Sequence, residues 1–235
     1  MNTYLKIVVL IPARSGSKGI PDKNIKLYKG LPLLVHSIKV ALESKYINDI
    51  YVSSDSEEYN NIALQYDVKT ILRPPEIAND LSPDIDTFMH FIKNYDGIKP
   101  DIIVHLRPTY PNRSIELLDN CIETFIQNFD KYDSLRTVKL IDKSPYKMYY
   151  IDNDNNNKFD NLIPFIKTYK DYSEPYNQAR QIFPDCYLHN GCIDIVKTSI
   201  IRDNNLSGTN ILPYIMNGDD DIDTIADFIK SEKNN

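Results

Sequence analysis

Tryptophan is absent from the 235 residues, glycine occurs seven times and cysteine three times. Cys121, Cys186 and Cys192 are too few and too irregularly spaced for a disulfide framework or a zinc site, so small buried groups in a reducing compartment, the cytoplasm, are expected. Long apolar runs are missing too. The first run, after Lys6, stops at Pro12, which is too short for a secretion signal or a membrane span, and no membrane partner is expected. Positive charge is in deficit, with 27 Lys and Arg against 33 Asp and Glu, for a net charge of -6. That balance argues against a broad basic surface gripping nucleic acid, although a local basic pocket is compatible with it. What is present suffices for one core: 42% of residues are hydrophobic and 26% charged, which excludes disorder. A single domain over residues 1–235, with room for a small insertion, is expected.

The apolar positions give the order of elements. Ile7 to Ile11 are apolar without alternation, as in a strand covered on both faces of a parallel sheet. Leu34, Ile38, Ala41 and Leu42 form a helical stripe, and Asp49 to Val52 a second strand. The alternation recurs: Tyr59, Ile62, Ala63 and Tyr66 on a helix, Val68 to Leu72 as a strand, then Ile85, Phe88, Met89 and Ile92 on a helix. Ile102 to Val104 make the next strand, and Ile115, Leu118, Ile122, Phe125 and Phe129 the next helix. Such repetition predicts a doubly wound α/β fold with a mostly parallel sheet, whose sites lie beyond the carboxyl ends of the strands. After a strand over Leu135 to Val138 the pattern breaks. The stretch from about 142 to 175 is rich in Tyr, Asn, Asp and Lys, with an asparagine run at Asp152 to Lys158 that reads as an exposed turn. Its aromatic residues predict a small inserted subdomain that packs against something, a partner subunit being one candidate. The sheet resumes at Cys192 to Val196 and Ile211 to Ile215, and a final amphipathic helix carries Ile222, Ile225, Ala226 and Ile229.

Three of the few glycines, Gly16, Gly19 and Gly30, fall between the first strand and the first helix. Small residues let backbone approach a phosphate, and Arg14, Lys18 and Lys23 on the same loop add positive charge, so a triphosphate is the natural guest. The loop is neither a P-loop nor a dinucleotide fingerprint, because Lys18 precedes Gly19 and no G-x-G-x-x-G occurs. Near the other end, Asp221 and Asp223 stand two apart, so on an extended segment both carboxylates face one way and share a hard cation. Asp219 and Asp220 beside them suit helix capping.

Ile11 to Ile25 (IPARSGSKGIPDKNI) resembles the signature of the acylneuraminate cytidylyltransferases, the CMP-sialic acid synthetases. Further similar segments follow in the family's order. They are Arg73-Pro74 with Glu76 and Asp80, Leu106 to Arg113, Asn177 to Pro184, Asn190-Gly191 and Asp221 to Thr224. The resemblance implies a Rossmann-like nucleotidyltransferase fold with an inserted dimerisation segment, a homodimer, and Mg²⁺. The implied reaction is attack by the anomeric hydroxyl of a 2-keto sugar acid on the α-phosphate of CTP, giving a CMP-sugar and pyrophosphate. By motif position Arg14, Lys23 and Asp223 would be catalytic. Arg14, Ser15, Gly16, Lys23, Asn24, Arg73 and Ser82 would bind nucleotide, and Asp221 and Asp223 would bind the metal. Arg107, Lys147, Arg180, Gln181, Asn190 and Asp194 would meet the sugar acid.

Here the chain departs from the family pattern. Arg107 stands where the motif has Gln, Asp84 where a small hydroxyl residue is usual, Leu188-His189 where Arg-Pro precedes Asn-Gly, and Asp194 where an aromatic residue is usual. These changes fit a legionaminic, pseudaminic or deaminated nonulosonic acid at least as well as N-acetylneuraminic acid. The alternative is that Arg107 and Asp194 pair with one another and never meet the sugar. Three rival readings are a CMP-Kdo synthetase-like enzyme, a glycosyltransferase using an acidic pair, and a non-catalytic nucleotide-binding homologue. His36, His90 and His105 are expected to fill core or surface, while His189 is placed either to donate a hydrogen bond to the sugar or to hold a turn.

Overall fold

The computed structural model describes residues 5–152, 161–218 and 221–233. The asparagine run after Asp152 and the Asp219-Asp220 pair read above as helix caps lie outside the described residues. In chain order the elements are β1 (Ile7–Pro12), β2 (Leu27–Tyr28), β3 (Leu31–Pro32), α1 (Leu33–Glu43), β4 (Asp49–Ser54), α2 (Glu57–Leu64), β5 (Lys69–Leu72), α3 (Asp84–Asn94), β6 (Ile102–His105) and α4 (Ile115–Gln127). They continue with β7 (Ser134–Leu140), β8 (Tyr149–Asp152), β9 (Asn161–Pro164), β10 (Tyr187–Lys197), α5 (Thr198–Arg202), β11 (Ile211–Ile215) and α6 (Ile225–Lys233).

A seven-stranded sheet has the order β11-β7-β10-β6-β1-β4-β5. Its centre is parallel: Val9 of β1 stands opposite Ile50 of β4 on one side and Val104 of β6 on the other, and β4 pairs in parallel with β5. β10 runs antiparallel to β6, with Asp194 opposite His105. The unbroken apolar run of β1 follows from this placement, since Ile7 to Ile11 are buried on both faces. From β1 the chain builds outward to β4 and β5, then returns to add β6 on the other flank. That reversal opens a crevice beyond the carboxyl ends of β1 and β6, the place where such sheets bind ligands. Serine caps fix two of the helices that follow strands: Ser56 Oγ accepts from the Tyr59 N–H and Ser114 Oγ from the Leu117 N–H.

The chain divides into two compact units, residues 1–137 with 190–235, and residues 138–189. The insertion therefore starts before and ends after the 142–175 limits drawn from composition, because ordinary-looking residues at both ends belong to it. Within the second unit β8 and β9 form an antiparallel hairpin. The aromatic residues there pack on one another: the Tyr146 ring stacks on Phe183 at 4.6 Å and meets Tyr169 edge-on. On the hairpin and just after it, Ile151, Leu162 and Phe165 stay exposed.

The last helix corrects one expectation. Ile222 is buried with Tyr28, Leu33 and Phe228, but it precedes α6. Ile225 and Ile229 are 52% and 47% exposed, whereas Phe228 and Ser231 face inward. Phe228 meets the Tyr28 ring edge-on and the Tyr28 hydroxyl bonds Ser231, so an aromatic contact and a hydrogen bond, rather than the isoleucine stripe, set the helix's rotation. Among the described residues no helix is long and apolar enough to cross a membrane.

Candidate active site

A cavity of about 200 Å³ opens beyond β1 and β6 in the first unit. Its lining includes Arg14, Lys23, Asn24, Arg73, Ser82 and Arg107, six of the residues singled out by motif position. Arg14 follows directly from the carboxyl end of β1, and Lys23 and Asn24 ride on a 3-10 turn over Lys23–Ile25. Asn24 is buried, and its Nδ2 donates to the Arg14 carbonyl at 2.9 Å, tying that turn to the strand end.

The loop cations are already paired. Arg14 Nη2 lies 2.7 Å and Lys18 Nζ 2.6 Å from the two carboxylate oxygens of Asp80. Lys23 Nζ donates to the Ile222 carbonyl at 2.8 Å and to Asp223 Oδ1 at 3.0 Å. Lys23 is 12% exposed at this contact and Asp223 73%. Arg73 differs: Nη1 donates to Thr87 Oγ1 at 2.7 Å, but its buried Nε has no partner among the described residues. Burial pushes the Arg73 guanidinium below its ordinary range, although arginine stays protonated.

Two expected nucleotide residues are otherwise engaged. Ser15 donates through its N–H and its hydroxyl to the carboxylate of Asp55, and Gly16 offers its carbonyl to Arg14 Nη1. Ser17, between the two glycines, lines the cavity instead. The glycine cluster has separate causes. A Cβ on Gly19 would stand 2.6 Å from the Asp223 carbonyl oxygen, so this glycine admits the late acidic segment. Gly30, at φ 80°, turns the tight β2-β3 hairpin.

That acidic segment is anchored to the cavity wall by the Ile222 N–H, which donates to the Thr109 carbonyl at 2.8 Å. The two aspartates do not share one environment. Burial pushes the Asp221 carboxyl up, and its Oδ1 is buried without a partner among the described residues, while Asp223 is exposed and paired with Lys23. Among the described residues no three His, Cys, Asp or Glu side chains form a metal-binding group.

At the β6 and β10 side the charges are clustered. Arg107 Nη1 donates to Asp194 Oδ2 at 2.7 Å and Nη2 to Asp84 Oδ2 at 2.9 Å. The pairing of Arg107 with Asp194 is thus real, and Arg107 lines the cavity as well. Arg113 fixes this corner from beneath. It is fully buried and donates to the carbonyls of Arg107 and Cys192 and to Ser37 Oγ. His105, expected to be filling, also lines the cavity, with Nδ1 3.8 Å from Asp194. Burial first, and the Arg107 charge second, push His105 down to about 3, so it is neutral. Asn190 is buried in the sheet, where its Oδ1 accepts from Thr137 Oγ1 and the Cys192 N–H. His36 bonds the Tyr28 carbonyl and His90 sits on α3, both held below their usual range by burial.

Lys147, Arg180 and Gln181 belong to the second unit, each on a 3-10 turn. Arg180 and Gln181 line a cavity of about 460 Å³ there, together with Ser144 and Cys186. His189 stands at the end of that unit, on β10.

Sequence reasoning missed Asp80 as a partner of Arg14, Asp55 as a partner of Ser15, and His105 as a cavity residue. Asp80 was visible as a motif member, but its pairing with Arg14 spans 66 positions and left no local signal.

Known proteins resemble this chain throughout. An N-acylneuraminate cytidylyltransferase of Escherichia coli is 31% identical over 95% of the chain, which covers 50% of that protein. The chain spans about half the length of the first curated relatives it matches. The post-translational flagellin modification protein B of Campylobacter coli is 30% identical, with 97% of each chain covered. The solved structure of CMP:2-keto-3-deoxy-manno-octonic acid synthetase complexed with CTP shares the fold, at a TM-score of 0.69, 16% identity and 97% coverage of both chains. The family model described as "Cytidylyltransferase" matches residues 8–169, from the first strand through the cationic loop and on into the second unit. With a mostly parallel sheet and a cationic cavity at its switch point, the chain belongs to the cytidylyltransferase family.

Proposed function

We propose that the chain activates a nonulosonic, sialic-type acid with CTP, giving a CMP-sugar and pyrophosphate. The observation that carries this reading is the convergence of Arg14, Lys23, Asn24, Arg73 and Ser82 on one cavity beside β1 in a chain of the cytidylyltransferase family. The sugar's anomeric hydroxyl oxygen bonds to the α-phosphorus. The bond from that phosphorus to the bridging oxygen breaks, and pyrophosphate leaves with the electron pair while the hydroxyl proton passes to water. Catalysis of such a transfer is mainly positioning and charge neutralisation. Arg14 and Lys23 would exchange their carboxylate partners for phosphate oxygens, Lys23 toward the leaving group. Arg73, a buried cation with an unsatisfied Nε–H, is suited to an acceptor on the nucleotide.

Asp221 and Asp223 would hold Mg²⁺. The unpartnered, buried Asp221 Oδ1 fits a cation, and Asp223 would have to leave Lys23 to join it. Bound there, the metal would supply further neutralisation of the triphosphate. A homodimer through the second unit is supported by the exposed Ile151, Leu162 and Phe165, and a cytoplasmic setting by three free cysteines.

The test is pyrophosphate release with CTP and Mg²⁺ across N-acetylneuraminic, legionaminic, pseudaminic and Kdo acids. Release with a nine-carbon acid supports the reading. Silence with all nine-carbon acids overturns it, and release with Kdo alone transfers the chain to the eight-carbon alternative.

A further inference from the structure

Arg14, just past the end of β1, and Lys23, on the turn tied to it through Asn24, line the cavity near β1. On the β4 and β5 side stands Arg73; on the β6 and β10 side stand Arg107, His105 and Asp194. A nucleotide anchored at β1 and Arg73 leaves the β6 side to the sugar acid.

That side is built around one clamped arginine. Asp84, at the start of α3, and Asp194, on β10, bracket the Arg107 guanidinium, and the Gly191 carbonyl accepts from it as well. The clamp is rigid. Ser37 and Arg113 donate to the Arg107 carbonyl, and a Cβ on Gly191 would come within 3.2 Å of Arg107 Nη1, so glycine makes room for the side chain. With two carboxylates beside one guanidinium, an incoming sugar carboxylate would be repelled here. The unfilled capacity of the corner lies in its acceptors. Arg107 takes only Oδ2 of Asp84, whose side chain is 46% exposed, and Asp84 is the one acidic residue lining the cavity among those described. His105, 1% exposed and lining the same cavity, has a buried Nε2 without a partner among the described residues.

We propose that Asp84, fixed by Arg107 against Asp194, selects the sugar acid by accepting hydrogen bonds from a nitrogen-bearing substituent, a cationic amine or amidine being favoured over a hydroxyl. The inference rests on the reading that a sugar acid is the second substrate. Arg107 is then a positioning residue that holds Asp84, and the sugar's own carboxylate is bound elsewhere. Burial alone would raise the Asp84 carboxyl, but the charge of Arg107 and its hydrogen bond outweigh it and hold the group below its usual range, so Asp84 is ionised and ready to accept.

The test uses three 2-keto sugar acids that differ at one carbon, bearing a hydroxyl, an acetylamino or an amidino group. Pyrophosphate release is measured with the full chain, Asp84→Ser and Arg107→Gln. The wild type is expected to favour the amidino acid over the hydroxyl acid by about tenfold or more in kcat/KM. Asp84→Ser should bring that ratio to within about threefold, acting on the KM for sugar rather than for CTP, and Arg107→Gln should move it the same way. A wild-type ratio near one, a ratio preserved in Asp84→Ser, or equal losses on every sugar would overturn the inference while leaving the reaction standing. No release from any of the three by the wild type would instead overturn the reaction and the inference together.

Discussion

Gly19→Ala tests whether the late acidic segment is part of the site. The new Cβ would lie 2.6 Å from the Asp223 carbonyl oxygen, roughly 0.8 Å inside an ordinary carbon–oxygen contact of about 3.4 Å. Neither side yields freely. The loop is pinned by the buried Ile20, and the acidic segment by the Ile222 N–H on Thr109 and the Ile222 carbonyl on Lys23. Overpacking of this kind costs about 1–3 kcal/mol, which for a chain of this size lowers Tm by roughly 2–12 °C. Relief by moving residues 221–224 would carry Asp221 and Asp223 away from Lys23 by something under 1 Å. A displacement near 1 Å in a catalytic constellation costs on the order of a hundredfold in rate. Melting scans and pyrophosphate release read the two effects. Gly16→Ala is the control for stability, because its Cβ would meet Arg14 Nη1 at an ordinary 3.9 Å, and its melting should stay within about 1 °C of wild type. If Gly19→Ala melts and turns over like the parent, the acidic segment is not held against the loop and its assignment to the metal falls with it.

Asp80→Asn should tighten CTP binding about threefold, since it removes a carboxylate that competes with phosphate for Arg14 and Lys18, and the gain should shrink in high salt. Isothermal titration decides this, and weaker binding would make Asp80 part of the bound site rather than its competitor. Asp49 lies 2.9 Å from Lys69 Nζ and 3.3 Å from Lys6 Nζ. Burial opposes ionisation of Asp49, but the two lysines outweigh it and hold the carboxyl below its usual range. Its stabilisation is therefore present above the unfolded carboxyl's range near pH 4 and lost as pH falls. Asp49→Asn should cost about 0.5–1 kcal/mol in urea melts at pH 7, and the gap should shrink as pH falls below about 4; an equal gap at acid and neutral pH would refute the assignment.

The sheet was legible because its strands declare themselves locally. Ile7 to Ile11 and Ile102 to Val104 are apolar on both faces, and strands without alternation must be covered twice. The cationic loop was legible for a related reason, since Arg14, Lys23 and Asn24, which line the cavity, lie close together after the first strand in sequence as well as in space. Burial against a particular partner was not. Ile225 and Ile229 have helical spacing, but Tyr28, some two hundred positions earlier, draws Phe228 inward and turns the isoleucines out. The aperiodic insertion hid its limits because its core is made of stacked rings, Tyr146, Phe183 and Tyr169, which have no helical or strand period to reveal. Gly19 was noticed for the wrong reason: the backbone it admits is that of Asp223, a neighbour from the far end of the chain.

Charge compensation orders the site. Arg14 rests on Asp80, Lys23 on Asp223, and Arg107 on Asp84 and Asp194, so three of the four cations that line the cavity have an ion-pair partner before any ligand arrives. On the proposed reading Arg14 and Lys23 would trade carboxylate for phosphate oxygen at small net cost, because the pairs at Asp80 and Asp223 are partly solvated, whereas Arg107 stays clamped. Arg73 has no such exchange among the described residues. It is 5% exposed, forms no ion pair, and leaves Nε–H unsatisfied, which costs about 1–3 kcal/mol in the free protein. Under the same reading an acceptor on the nucleotide would bond Arg73 without displacing a carboxylate, whereas Arg14 and Lys23 would have to exchange theirs. Nucleotide recognition would then fall to Arg73 and phosphate neutralisation to Arg14 and Lys23, a division that follows which of these cations the fold has left without a carboxylate partner among the described residues.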